Sequence, residues 1–155
     1  MTARYFEDVA VGERFTSESF LVTEEAIIAF AREFDVQAFH LEHAAANGSV
    51  FGGLAASGWH TAAIAMRLFT TGSVQFVGGA VGLAVDELRW PVAVRPGDRL
   101  QLTTEILDAR VSKSKPRFGL LRISNVLKNQ DGNVVLSYLA SAMVQRRPTS
   151  SPNEQ

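Results

Sequence analysis

The fold is decided by residues 57–72, which read SGWHTAAIAMRLFTTG. No proline interrupts this stretch, Ser57 suits the N-cap of a helix, and Gly72 can end one. The helix that this pattern predicts, residues 58–71, is apolar on every side. Such a helix is surrounded by other parts of the protein. We therefore expect residues 58–71 to lie at the centre of the molecule.

The sequence after this helix changes to the two-residue period of β-strands. A slip in the alternation near Asp86 indicates a bulge, and Asp131-Gly132 is a strong hairpin signal between two strands. The strands predicted in this half of the chain are 81–90, 99–106, 118–128 and 133–146.

The N-terminal half contributes a strand at residues 12–22 and a helix at 24–34, with Thr23 as the N-cap. Residues 41–56 carry two turn signals and predict a loop. Segregated helices and strands are typical of the α+β class. An antiparallel sheet that curls around the helix at 58–71 is the packing that we expect to cover every face of it.

Composition excludes several classes of function. The 155 residues suit one domain, which we expect at 1–147, followed by a disordered tail at 148–155. The chain has no cysteine, which excludes disulfides, thiolate metal sites and a catalytic thiol. A formal net charge of -1 gives no support for binding nucleic acid or an anionic membrane. The most apolar stretch, residues 54–69, is too short to cross a bilayer, so we expect a cytoplasmic protein.

Asp35 and His40 form the candidate catalytic pair. A five-residue spacing separates two side chains by roughly 140° in a helix and puts them on opposite faces of a strand. The pair meets only if the chain leaves the helix near Asp35 and turns back, and a loop is expected there. The negative end of the helix dipole predicts a raised pKa for Asp35, which would make it a stronger base. The alternative is a helix-end cap beside a surface histidine.

Ser57 and Gly58 are candidate substrate-binding residues because they begin the central helix. A glycine at a helix start exposes backbone N–H groups, which can bind a developing oxyanion. The alternative is an ordinary N-cap followed by a glycine that allows close packing.

The basic run SKSKPR contains Lys115 and Arg117, which are candidates for binding phosphate groups of a substrate. The alternative is an exposed loop. Among the histidines, His60 is expected in the core and His43 on the surface. Because His40 and His43 have no third ligand in the pattern, we expect no metal site.

Four motifs occur together in the chain: DVQAFH at 35–40, FGGLAASGWH at 51–60, VDELRWP at 85–91 and VRPGD at 94–98. Over residues 5–146 their combination resembles the MaoC-like dehydratases, a family that includes the (R)-specific enoyl-CoA hydratases. The resemblance implies the hot-dog fold, in which an antiparallel sheet wraps one long helix. It also implies homodimers or larger assemblies, with joined sheets and active sites at the subunit interface.

The resemblance further implies roles for individual residues. Asp35 and His40 match the pair that activates water at the enoyl double bond, and Gly58 matches the glycine whose N–H binds the thioester carbonyl. No metal or organic cofactor is implied, since coenzyme A is the acyl carrier of the substrate. Gln37 and Ala38 stand where the hydratases usually have Asn-Pro. Loss of that proline should loosen the turn.

The expected function is reversible hydration of a 2-enoyl-CoA, or dehydration of the corresponding 3-hydroxyacyl-CoA. The alternatives are a hot-dog acyl-CoA thioesterase and a non-catalytic acyl-CoA-binding protein. Such thioesterases commonly use an acidic residue on or beside the central helix, and residues 58–71 contain none. The Gln37-Ala38 pair keeps the binding protein open as an interpretation.

Overall fold

The structure is a computed structural model that describes residues 2–72 and 74–150. Its strands in these residues are β1 (Arg14–Thr16), β2 (Phe20–Leu21), β3 (Ala80–Arg89), β4 (Arg99–Val111), β5 (Phe118–Lys128) and β6 (Val134–Gln145). Its α-helices there are α1 (Glu24–Phe34), α2 (His43–Asn47) and α3 (Gly58–Thr71). Single turns of 3-10 helix lie at Phe6–Asp8 and Ala38–His40.

The strands form an antiparallel sheet in the order β1-β4-β5-β6-β3, and the short β2 pairs with the start of β4. Alternate residues of β5 are buried, as expected for a strand with one face on the core. Ile64 and Leu68 of α3 share the main core with Leu102, Leu127 and Leu136 of the sheet. Burying one such side chain stabilises the fold by about 1.5–3 kcal/mol. The predicted α+β class is confirmed.

Helix α1 has the bounds that the sequence predicts. The Thr23 hydroxyl accepts a hydrogen bond from the Ala26 N–H at 3.2 Å, so the predicted N-cap is confirmed. Ile27 and Ala31 are fully buried. At Asp35 the backbone leaves the helical region, with φ −149° and ψ 74°, so the helix ends beside its candidate catalytic carboxylate.

The predicted strand at 12–22 is divided into β1 and β2, and Ser17 between them explains the division. Its hydroxyl accepts the Leu102 N–H at 2.9 Å, a bond that a backbone carbonyl would accept in a continuous strand. The predicted bulge near Asp86 is confirmed, since the register shifts between Asp86 and Arg89 and Glu87 has φ 52°. The predicted loop at 41–56 contains the short helix α2.

Helix α3 is covered on only part of its surface, so the prediction that the sheet covers every face is wrong for a single chain. Ile64, Ala65 and Leu68 are buried, whereas Trp59 is 60% and Met66 is 53% exposed. One curved sheet reaches one side of a helix, and the opposite flank of α3 has no second layer over it in residues 2–72 and 74–150. Strand β3, at the edge of the sheet, is exposed along nearly its whole length.

Residues 148–150 are exposed and have no regular structure, and the rest of the expected tail lies outside the described residues. No helix within residues 2–72 and 74–150 combines the length and the hydropathy that crossing a membrane requires.

Candidate active site

The bend after α1 brings Asp35 and His40 together. The Gln37 N–H donates to the Asp35 carbonyl at 2.8 Å, and the His40 N–H donates to the Gln37 carbonyl at 2.9 Å. These bonds fold residues 35–40 back on themselves without the proline of the family pattern. His40 Nε2 consequently lies 3.2 Å from Asp35 Oδ2. The structure therefore brings together the two residues that the sequence predicts to meet only through a bend.

The second ring nitrogen of His40 fixes where its protons lie. Nδ1 lies 2.6 Å from the carbonyl oxygen of Ala55. A carbonyl only accepts hydrogen bonds, so Nδ1 carries a proton. In the neutral ring Nε2 is then an acceptor that faces another acceptor, Asp35 Oδ2. A proton between Nε2 and Oδ2 would turn this contact into a hydrogen bond, and the Ala55 carbonyl holds the nearly buried ring in position for it.

The pKa of Asp35 is lowered from its ordinary value, not raised as the helix dipole alone predicts. Partial burial of the carboxyl acts to raise the pKa, but three neighbours favour the ionised form. Gln37 Nε2 donates to Oδ1 at 2.5 Å, the Ser57 hydroxyl adds a second hydrogen bond, and His40 adds charge and a third. The carboxylate therefore stays ionised at neutral pH.

Ser57 and Gly58 begin α3 on the side of the Asp35–His40 pair. Ser57 is completely buried, and its hydroxyl accepts the Trp59 N–H at 3.3 Å, as expected for an N-cap. The first N–H groups of a helix have no partner inside the helix. With the Trp59 N–H capped by serine, the Gly58 N–H is the group that can donate to an oxygen in the adjacent cavity.

Gly58 cannot be replaced by a larger residue without moving Trp90. A Cβ atom at position 58 would lie 2.7 Å from the Trp90 ring. Trp90 Nε1 also donates to the Gly58 carbonyl at 2.8 Å. The backbone at the start of α3 is therefore fixed by an indole from the end of β3, a contact that the sequence interpretation missed.

One cavity of about 380 Å³ contains Asp35, His40 and Gly58 in its wall. Its other wall residues are largely aromatic or apolar, so the cavity suits a ligand with an apolar part. The aromatic members are Phe39, Phe51, Trp59 and Trp90.

Arg95 holds the loop that forms one wall of this cavity. Its guanidinium donates to the carbonyl of Gly53 at 2.8 Å and to the carbonyl of Phe51. Its backbone N–H donates to Asp98 Oδ2 at 2.8 Å. Arg95 belongs to the VRPGD motif, but the sequence alone does not predict its role. A basic residue in a predicted turn does not indicate which backbone carbonyls its side chain will contact.

The structure does not bring Lys115 and Arg117 to this cavity. Both lie in the loop between β4 and β5, and Arg117 lines a different cavity of about 620 Å³ with Arg146 and Arg147. Neither residue belongs to the wall around Asp35 within one chain.

The other histidines lie where the sequence predicts. His60 is buried and stacks on Phe30 with ring centroids 4.8 Å apart, and burial lowers its pKa. Its Nδ1 has no hydrogen-bond partner in the described part of the chain. His43 contacts Glu24 on the surface. Across residues 2–72 and 74–150, no three histidine or acidic side chains are grouped to hold a metal ion.

Comparison with known proteins identifies the family. The model of the MaoC-like domain matches residues 8–124. The chain belongs to the MaoC-like family. A MaoC-like dehydratase from Rhodospirillum rubrum is 47% identical, with a TM-score of 0.90 over 95% of this chain and 100% of that one. The predicted family membership is thus confirmed, and with it the general kind of protein, a MaoC-like dehydratase.

More distant structures share the fold. The R-hydratase PhaJ1 from Pseudomonas aeruginosa is 22% identical, with a TM-score of 0.75 over 97% of this chain and 95% of that one. A Mycobacterium tuberculosis protein with a double hot-dog fold is 21% identical, with a TM-score of 0.76. The match covers 97% of this chain but only 47% of that protein. The predicted hot-dog fold is confirmed.

Proposed function

We propose that this MaoC-like protein catalyses the reversible hydration of a 2-enoyl-CoA to a 3-hydroxyacyl-CoA. The observation that carries the proposal is one cavity whose wall contains Asp35, His40 and Gly58, with His40 Nε2 3.2 Å from Asp35 Oδ2 and the pKa of Asp35 lowered. Addition of water to a conjugated thioester needs a base for the water, an acid for the α-carbon and a donor for the enolate oxygen.

Binding of the thioester comes first. The thioester carbonyl oxygen accepts the Gly58 N–H at the positive end of the α3 dipole. When water adds at C3, negative charge moves to this oxygen, so the hydrogen bond strengthens in the transition state. A donor of this kind is worth roughly 3–4 kcal/mol in comparable sites.

The proton steps balance within the Asp35–His40 pair. The Asp35 carboxylate removes one proton from the water as its oxygen bonds to C3 and the C2–C3 double bond becomes the enolate. The protonated His40 Nε2 gives its proton to C2, and the enolate returns to the thioester. The proton on Asp35 then passes to His40 Nε2 across the 3.2 Å contact, which restores the starting state.

The proposed active form is a homodimer or a larger assembly of such dimers. Strand β3 is a long sheet edge, and Val81, Leu83 and Val85 on it are all about half exposed. Unpaired edges of this length pair readily with another strand. The match of this chain to about half of a double hot-dog protein supports a second copy beside β3.

The proposal includes no metal or organic cofactor, because side chains and one backbone N–H supply every group that the reaction uses. Coenzyme A enters only as part of the substrate. An acyl-CoA substrate agrees with the expected cytoplasmic location and with one catalytic domain at residues 1–147.

The deciding experiment measures the hydration of a panel of 2-enoyl-CoA thioesters of increasing chain length. Hydration is monitored as the loss of the conjugated-thioester absorbance. Asp35→Asn should lower the rate by several orders of magnitude while the protein stays folded. Unchanged turnover in this variant would reject the assignment. Release of free thiol from saturated acyl-CoA would favour the thioesterase, and tight binding without turnover would favour the non-catalytic binding protein.

A further inference from the structure

A basic cleft lies at the end of the sheet away from Asp35. It is the cavity of about 620 Å³ whose wall includes Arg117, Arg146 and Arg147. Arg146 pairs with Glu7 at 3.0 Å and Arg147 pairs with Asp8 at 2.6 Å. These acidic partners hold two of the guanidinium groups in place and neutralise much of their charge.

Arg117 adds positive charge to the wall of this cleft, and Lys115 lies two residues before it in the same loop. Neither side chain forms a salt bridge with any residue in 2–72 and 74–150. Both are exposed, in the turn that joins β4 to β5. Guanidinium and ammonium groups in such a position bind phosphate oxygens well.

The strand register places this cleft far from the catalytic pair of the same chain. Ala80, at the start of β3, is opposite Val144 of β6, next to the basic cleft. Arg89, at the end of β3, precedes Trp90 in the wall of the catalytic cavity. At about 3.3 Å per residue, the two ends of β3 are roughly 30 Å apart.

A second copy paired along β3 removes this separation. Pairing of β3 with itself about a two-fold axis is antiparallel, so the partner's Ala80 lies near Arg89 of the first chain. Strands β6 and β5 of the second copy follow at about 4.8 Å per strand. Its basic cleft then lies roughly 10–15 Å to the side of the first chain's catalytic cavity.

We propose that the partner subunit's Lys115 and the partner subunit's Arg117 bind the phosphates of the coenzyme A whose acyl group reacts at Asp35 and His40. This inference rests on the proposed function. Coenzyme A carries its phosphates at the far end of the pantetheine arm from the thioester, so their binding site must lie away from the catalytic pair. The arrangement makes each active site a product of two chains.

The first test measures substrate binding in a double variant, Lys115→Ala with Arg117→Ala. For a 2-enoyl-CoA its KM should rise at least about tenfold with little change in kcat, because charged hydrogen bonds to remote phosphates are lost. For the same enoyl thioester of N-acetylcysteamine, which has no phosphate, KM should not change. Lys128→Ala, at the opposite end of β5, is the matched control and should behave as wild type. Equal KM values for the double variant and wild type would overturn the proposal.

The second test assigns the subunit. A heterodimer is purified from one chain with Asp35→Asn and one chain with the double variant. If the basic residues act on the neighbouring chain, the intact Asp35 is served by intact Lys115 and Arg117, so the heterodimer has the wild-type KM and about half the wild-type kcat. If they act within their own chain, the KM stays as high as in the double variant, which overturns the proposal.

A binding measurement separates failure of this inference from failure of the proposed reaction. Adenosine 3′,5′-bisphosphate is titrated into wild type and the double variant. If the wild type hydrates no enoyl thioester but binds this bisphosphate about tenfold more tightly than the double variant does, the reaction is rejected and the phosphate site is kept. Equal binding would reject the phosphate site whatever the reaction proves to be.

Discussion

The contact between Gly58 and Trp90 makes the substitution Gly58→Ala informative. The added Cβ would lie 2.7 Å from the indole, well inside van der Waals contact. Trp90 must move, which costs about 1–3 kcal/mol as overpacking. Its hydrogen bond to the Gly58 carbonyl, worth about 0.5–1.5 kcal/mol, is weakened at the same time. Alanine recovers up to about 1 kcal/mol through helix propensity.

The net expectation for Gly58→Ala is a loss of about 1–3 kcal/mol in the free energy of unfolding, measured by urea denaturation at fixed protein concentration. The rate should also fall by about 10²-fold, because the displaced N–H no longer aligns with the enolate oxygen. Gly48→Ala is the control. A Cβ there meets only two backbone oxygens, at 3.8 and 3.9 Å, so its effect should stay within about 0.5 kcal/mol.

A double-mutant cycle distinguishes this contact from a general effect of alanine. With Trp90→Ala already present, the indole is gone and Gly58→Ala should cost at least about 1 kcal/mol less than it does in wild type. The same cost in both backgrounds would refute the reasoning.

Three further predictions concern other parts of the site and the dimer. Gln37→Ala removes a donor that lowers the pKa of Asp35, so the carboxylate is protonated at higher pH and the acid limb of kcat/KM should move to higher pH; an unmoved limb contradicts this. Arg95→Met deprives the carbonyls of Phe51 and Gly53 of their donor, so the free energy of unfolding measured by urea denaturation should fall by about 1–3 kcal/mol. Arg99→Met, at an exposed arginine, is the control. Val85→Glu on the edge strand should give a monomer in sedimentation velocity, and Val11→Glu, also exposed, should leave the dimer intact; a dimeric Val85→Glu protein contradicts the proposed interface.

The features that the sequence predicts well are those with local signals. Helix α1 begins at Thr23 and ends before Asp35 because the cap and the apolar spacing are both contained in neighbouring residues. The meeting of Asp35 with His40 requires a bend after the helix, and the loop that the sequence predicts there provides it. The strand signals from residue 81 onward are equally local, and the sheet that they form has the predicted antiparallel connections.

The features that the sequence does not predict depend on residues far apart in the chain. Trp90 meets Gly58 across 32 positions, and Arg95 reaches Gly53 across 42. The predicted direction of the Asp35 pKa shift is wrong because the sequence shows the helix dipole, but not that the Gln37 amide and the distant Ser57 hydroxyl donate to the carboxylate. The distance of Lys115 from the catalytic pair depends on the strand register, which only the folded sheet defines.

In the proposed dimer, the exposed flank of α3 makes protein concentration a variable in the folding equilibrium. A second copy that covers Trp59 and Met66 binds the native chain and not the unfolded one, so mass action favours the native state as concentration rises. The melting temperature should then rise when the sample is concentrated and fall when it is diluted.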